Sequence, residues 1–314
     1  MMWLWMNVVY ADALENVWKD IPVLEHIEQV HTLQLAGKYD AAQERLDFLA
    51  QYEPSLYVLF EIGRNWELQE QYDTALGFYD LVLQEDLGED LWLNTSYRRA
   101  LVLSDLQQHR RAVWSLRKLR WHSLSDTDKR AVDLAFGAAL LWSGRETKGI
   151  KTINQALNHL ESPMEHSWLQ ARARMALSDY LLNQALQIAI VPTDEMTNLV
   201  NTRSDLIIQA ERQVQKMIQL QEPQYALAGL EDIGDALLFL YDDLLAMPAP
   251  EYFDVYQEQL YVEVMEARAS ILQEKALEYY EVGDRYAKEL NWPGSVANSL
   301  QKKREMTHAE RYGS

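Results

Sequence analysis

His26 and His31 are the first side chains in the chain that invite a metal, and their five-residue spacing in EHIEQVH argues against one. Two imidazoles share a helical face with a metal at a spacing of about four, as in HExxH, and no HExxH occurs. The pair reads instead as groove or surface histidines. Asp242-Asp243 and Glu231-Asp232 are adjacent carboxylates. Neighbours on a helix point about 100° apart, so they do not readily share a proton and read as solvated helix faces. GxxxxGKS/T, GxGxxG and GxSxG are all missing, and a helical chain lacks the strand-to-helix turns that such motifs need. With no cysteine, thiol nucleophiles, thiolate metal sites, disulfides and an acylated lipoprotein cysteine are excluded. The expectation is a chain that is not an enzyme and takes no cofactor and no metal.

The elements that would carry any site are helices. Glycine and proline are sparse, at 12 and 8 of 314 residues, and the runs between them are rich in Leu, Ala, Glu, Gln and Arg, with no alternation at period two. Hydrophobic residues make up 48% of the chain, enough for a sizeable core, so the expected class is all-α. A formal charge of −19 from 48 acidic and 29 basic residues disfavours a nucleic-acid partner. The basic cluster Lys302-Lys303-Arg304 reads as the last turn of a helix, where cations meet the negative end of the dipole.

The first residues, MMWLWMNVVYA, form a short apolar run that ends before Asp12 in a pattern similar to a signal-peptidase site, though no basic segment precedes it. Residues 1–22 are therefore expected to hold an export signal or an N-terminal cap, with periplasmic location ahead of cytoplasmic. No run reaches the ~18 apolar residues of a membrane span.

A repeat is visible from His31 onward. Tyr57 to Gln84 places Leu59, Ile62, Gly63 and Trp66 on one helix face and Tyr72, Ala75 and Tyr79 on the next. Gly63 and Ala75 are the informative pair, since helices approach closely only where side chains at the crossing are small. Before it, Val30, Leu33, Gly37, Tyr39, Ala42, Leu46, Leu49 and Pro54 follow the same plan, and Tyr39 and Tyr72 are 33 residues apart. A weaker third unit keeps Ala100, Leu103, Ala112, Leu116 and Leu119, with His109 in place of the aromatic wedge. The fourth has Gly137, Leu140, Gly144, Gly149, Ile153 and Ala156, with Ser125 or Asp126 placed to cap its first helix.

Residues 23–160 thus resemble four tetratricopeptide repeats. The resemblance implies a right-handed superhelix of antiparallel hairpins whose first helices line a groove that holds a protein or peptide segment. In that register the groove positions are Ile27, His31 and Gln34, then Tyr57, Phe60, Arg64 and Glu67, then Asn94, Tyr97 and Leu101. His31, Tyr57, Phe60, Arg64, Asn94 and Tyr97 are the expected partner-binding residues, because aromatic and arginine side chains dominate binding energy. The competing reading packs Phe60 and Tyr97 against the adjacent hairpin. The Lys and Asn clamp that some such proteins use for a C-terminal carboxylate is mostly missing, with Ile27, His31, Phe60, Arg64, Asn94 and Arg98 at its positions.

Residues 161–314 change pattern. Met164–Ile190 and Asp194–Leu220 read as a long helical hairpin with a seam of Val200, Ile207, Ala210, Val214 and Met217. Residues 223–245 give a further helix, and 251–290 one long helix or two continuous ones, with Phe253, Tyr256, Leu260, Val264, Ala267, Ile271 and Tyr279 on a common side. A last helix starts at Ser295. The layout is loosely similar to the ends of repeat proteins of bacterial envelope machines. The sequence thus points to a scaffold or adaptor in an envelope assembly, its acidity favouring a basic or aromatic segment and its C-terminal helices serving as a cap or second docking surface. The alternative is a cytoplasmic assembly chaperone or regulatory subunit. Oligomeric state is open.

Overall fold

A computed structural model of the chain describes residues 21–162, 164–192, 195–290, 292 and 295–312. The expectations for the apolar run at 1–11, and for Trp3, Trp5, Leu14 and Trp18 as cap residues, lie outside the described residues. Helices account for all the regular structure among the described residues, and none of these helices is long and apolar enough to cross a membrane. The chain divides into two compact units between Ser123 and Leu124.

The described residues of the first unit form three hairpins: α1 (Val23–Leu35) with α2 (Tyr39–Tyr52), α3 (Leu56–Leu68) with α4 (Tyr72–Val82), and α5 (Glu89–Asp105) with α6 (His109–Leu119). The fourth hairpin, α7 (Asp126–Trp142) with α8 (Glu146–Asn158), opens the second unit, where Ser125 caps α7 by accepting from the Asp128 amide at 3.1 Å.

One turn is built four times. The residue two positions before each second helix is left-handed: Gly37 at φ 69°, Glu70 at 60°, Gln107 at 59° and Gly144 at 81°. The next amide then reaches back five residues, from Lys38 to the Leu33 carbonyl, Gln71 to Trp66, Gln108 to Leu103 and Arg145 to Leu140, at 2.8–2.9 Å. This closure satisfies carbonyls that a helix end leaves open. Glycine occupies the strained position in the first and fourth hairpins, so only those two turns are visible as sequence.

Small residues set the helix crossings. A methyl group on Gly63 would lie 2.9 Å from Tyr79 Cε1, and one on Gly149 would lie 2.9 Å from the Leu141 backbone nitrogen and 3.0 Å from the Gly137 oxygen. The core of the first unit runs through Val30, Ala42, Leu46, Leu49, Val58 and Ile62, then Ala75, Tyr79, Val82 and Val102.

In the second unit α9 (Ser167–Gln187) packs on α7, and α10 (Met196–Gln219) packs on α9. The expected seam is real, with Ile207, Ala210, Val214 and Met217 buried and Val200 half-buried. Both helices are shorter than expected, α9 beginning only after His166, which is itself left-handed at φ 50°. The turn into α11 (Pro223–Leu245) repeats the left-handed step at Gln221, φ 57°, and Pro223 starts the helix where its missing N–H costs nothing. Next comes α12 (Val255–Glu289), one continuous helix opened by a capping box between Asp254 and Gln257, and then α13 (Ser295–Tyr312).

Neighbouring helices decide both the packed side of α12 and the place of the basic cluster, and the second corrects an expectation. The apolar stripe of α12 is not its packed face: Tyr256, Leu260, Val264 and Ile271 are exposed, while Met265, Ala269, Ala276, Tyr280 and Ala287 face the core. Small residues win that contact because α11 and α12 cross closely, a methyl group on Gly234 lying 2.4 Å from the Tyr280 ring. The Lys302-Lys303-Arg304 cluster lies in the middle of α13 rather than in its last turn. Lys303 bridges Glu231 and Asp235 of α11 at 2.6 Å each, and Arg304 pairs with Asp284 of α12. Pairing between helices, rather than the helix dipole, places these cations.

Candidate protein-binding face

The first helices of the three hairpins in the first unit carry the expected binding residues. Ser55 caps α3 by accepting from the Val58 amide at 3.2 Å, which fixes the start of the helix that carries Tyr57, Phe60 and Arg64. Glu61, one turn on from Tyr57 and 1% exposed, is the anchor of this face. His31 Nε2 on α1 lies 3.0 Å from Glu61 Oε2, Arg64 Nη1 lies 3.5 Å from the same oxygen, and Arg64 Nη1 lies 3.1 Å from His31 Nε2. Arg64 donates to His31 Nε2, while Glu61 Oε2 has no hydrogen-bond partner and acts on both neighbours through its charge. The Tyr57 hydroxyl bonds Glu61, and burial, then the carboxylate charge, raises its pKa above the ordinary tyrosine value.

A second polar layer lies deeper. Tyr79 donates to Glu67 Oε2 at 2.6 Å, and Arg98 Nη1 on α5 donates to Glu67 Oε1 at 3.1 Å. Burial pulls the Arg98 guanidinium down, but Glu67 outweighs it and holds the group above its usual value. Asn65 donates to the Tyr39 carbonyl and to Gln43 Oε1, and accepts from Gln34 at 3.3 Å. These bonds join side chains 22 to 31 residues apart, so each hairpin is keyed to its neighbour by buried polar pairs.

The groove positions therefore divide. Ile27, Gln34, Glu67 and Leu101 are buried and serve packing or register. Phe60, 8% exposed, stacks on Tyr57 at 6.1 Å and leans on Tyr79 at 5.8 Å, which is the packing reading rather than the groove one. Tyr57 keeps 42% of its surface open, His31 and Arg64 are half-buried with accessible edges, Tyr97 is half-buried, and Asn94 is exposed with its amide donating to the Asp90 carbonyl at 3.0 Å. His26 is turned away from His31. It packs on Phe48 at 5.5 Å with Arg45 at 3.1 Å from Nδ1, and no group of three His, Asp or Glu among the described residues could hold a metal ion.

Sequence reading missed two features. Glu61 is one, and its signal was an acidic residue set between Phe60 and Ile62 on an apolar helix face. The outer face of α6 is the other: no Asp or Glu occurs from Leu106 to Ser125, a gap that the overall acidity concealed.

No family model and no curated protein matches the chain. Similar solved structures include a tetratricopeptide repeat protein from Parabacteroides merdae, at 14% identity over 90% of this chain and 98% of that one, with a TM-score of 0.42. A TPR repeats protein from Bacteroides fragilis is 12% identical over 82% of this chain and 99% of that one, TM-score 0.37. A double mutant of MamA RS-1 is 16% identical over 60% and 93%, TM-score 0.40. At such TM-scores the assignment rests on the chain's own geometry. Four repeated left-handed turns, glycines at the crossings and apolar positions in a common register make residues 23–158 a set of four tetratricopeptide-like hairpins.

Proposed function

We propose that the chain is a non-enzymatic scaffold that binds a segment of another protein across the first helices of its first three hairpins. The observation that carries this reading is the row formed by His31, Tyr57 and Arg64 around buried Glu61. An aromatic ring and a guanidinium are held at a solvent-facing edge by a carboxylate that water does not reach. Such groups are positioned before a partner arrives, which lowers the cost of ordering them on binding. Asn94 and Tyr97 extend the row on α5, while Phe60 supports Tyr57 from beneath.

Of the basic or aromatic segment that the acidic composition favours, this face supports the aromatic character. Glu61 and Glu67 each already face an arginine, so neither offers an unpaired negative charge to a basic side chain. We propose a bacterial envelope assembly as its setting, a reading supported by the apolar run at residues 1–11 and by the loose likeness of the C-terminal layout to repeat proteins of envelope machines. An intact mass beginning at Asp12 is the expected result, and a retained Met1 would favour the cytoplasmic chaperone or regulatory-subunit reading.

The binding test is affinity purification of the tagged native chain beside a Tyr57→Ala, Arg64→Ala variant whose helicity by circular dichroism matches the parent. Both side chains are partly open, so the fold survives their loss. A partner recovered with the parent and lost with the variant supports the groove. Unchanged partners would remove these residues from the site.

A further inference from the structure

The outer face of α6 gathers basic side chains with no acidic residue beside them in sequence. Ala112, Val113, Ser115, Leu116 and Leu119 bury one side of this helix, while Arg110, Arg111, Trp114, Arg117 and Lys118 stand exposed on the other. From Leu106 to Ser125 there are five Lys or Arg and no Asp or Glu, in a chain of net charge −19. Among the described residues Arg110, Arg117 and Lys118 pair with no carboxylate. Arg111 donates to the Gln108 side chain, and Lys118 Nζ lies 3.6 Å above the Trp114 ring. Trp114 is 55% exposed, and Trp121, just past the helix end, is 84% exposed. By contrast Arg98, Arg99, Arg130, Arg203, Lys303 and Arg304 each have a carboxylate partner.

We propose that this face docks an acidic segment of a partner protein, with carboxylates on the arginines and an apolar side chain against the indoles. Two exposed tryptophans are costly to leave in water, and Trp and Arg are the residue types that anchor interfaces. Charge complementarity selects the occupant. Guanidinium groups bind carboxylates by paired hydrogen bonds, and a short acidic segment brings few charges against the field of an acidic protein. A nucleic acid brings a phosphate at every step of its backbone, and the net charge of −19 opposes its approach. This surface lies on the second helix of its hairpin, whereas the groove residues lie on first helices, so the inference stands apart from the groove reading.

The test uses the full chain and fluorescence anisotropy with three labelled probes: a peptide of Glu and Leu at helical spacing, the same peptide with Lys for Glu, and a single-stranded DNA oligonucleotide. The acidic peptide is expected to bind at about 50 mM salt, and to weaken about tenfold or more at about 200 mM. A comparable loss is expected in an Arg117→Glu, Lys118→Glu variant. The Tyr57→Ala, Arg64→Ala variant is expected to bind it as the parent does. A milder Arg110→Gln, Arg117→Gln pair keeps the test usable should charge reversal disturb folding. Absence of binding at low salt, equal binding of the Lys peptide, tighter binding of the oligonucleotide, or unchanged binding by both α6 variants would each overturn the proposal. So would salt-sensitive self-association of the parent that the variants abolish, which would make the occupant a second copy of the chain.

Discussion

Asp232 is a carboxyl of the second unit that holds its proton toward neutral pH. It lies on α11 between Glu231 and Asp235, with Asp179 of α9 close enough to be felt. Burial first, then the charges of Asp179, Asp235 and Glu231, push its pKa up to about 7, with Lys303 of α13 pulling the other way. Asp179, whose Oδ2 accepts from the Trp142 indole at 2.7 Å, is raised by burial to about 6. The folded state thus holds protons here that the unfolded chain releases near pH 4. Stability is fully present below that pH and declines as pH rises through about 6 and 7, where the two carboxyls ionise in place. Glu165, whose pKa is lowered by its bond from the Glu161 amide and then by Arg130, titrates below this window. The free energy of unfolding from urea denaturation is expected to fall between pH 5 and pH 8 by an amount on the order of a few kcal/mol. Asp232→Asn should flatten that slope, and an equal slope in the variant would remove Asp232 as its source.

Along the helices, what the sequence shows and what it hides separate cleanly. Tyr39, Tyr72, Gly63, Ala75, Gly137 and Gly149 announced the hairpins because a small residue at a crossing and a ring at a turn are local requirements, met within one pair of helices. The turns at Glu70 and Gln107 did not announce themselves, since a residue other than glycine carries the left-handed step. At the site, Tyr57, Arg64 and His31 were readable from register, but their dependence on Glu61 was not, because it comes from folding two hairpins together. The packed face of α12 was not legible for a related reason. Both of its faces are apolar at three- and four-residue steps, and only the approach of α11 decides that the alanine-rich face is the packed one. The consequence is testable by urea denaturation. Leu260→Glu is expected to change stability by no more than about 0.5 kcal/mol. Tyr280→Ala, which empties a buried ring and removes its bond to Asp235 at 2.7 Å, is expected to cost about 3–5 kcal/mol. A loss above about 2 kcal/mol for Leu260→Glu would mean that the outer stripe is covered after all.

The division at Ser123 has a physical expression along the chain. The first unit's described core is built from α1 to α5, and the second unit's large cluster is built from α9 to α13, each with its own buried residues and polar pairs. Between α6 and α7 the chain has no helix, and Arg120, Trp121, His122 and Ser123 are exposed. Proteases cut where several residues can leave the fold at little cost, and a packed helix does not offer that. Brief trypsin treatment of the native protein is therefore expected to cleave after Arg120. It should leave one fragment that ends there and one that carries α7 to α13, both still helical by circular dichroism. Lys303 and Arg304 sit in a helix and are held by carboxylates of α11 and α12, so they should resist cleavage on the same timescale although trypsin favours such residues. Early cutting at Lys302 to Arg304 would show that α13 opens before the linker does, and that the ion pairs from Lys303 do not secure it. Loss of both fragments without a stable intermediate would show instead that neither core stands once the connection is broken.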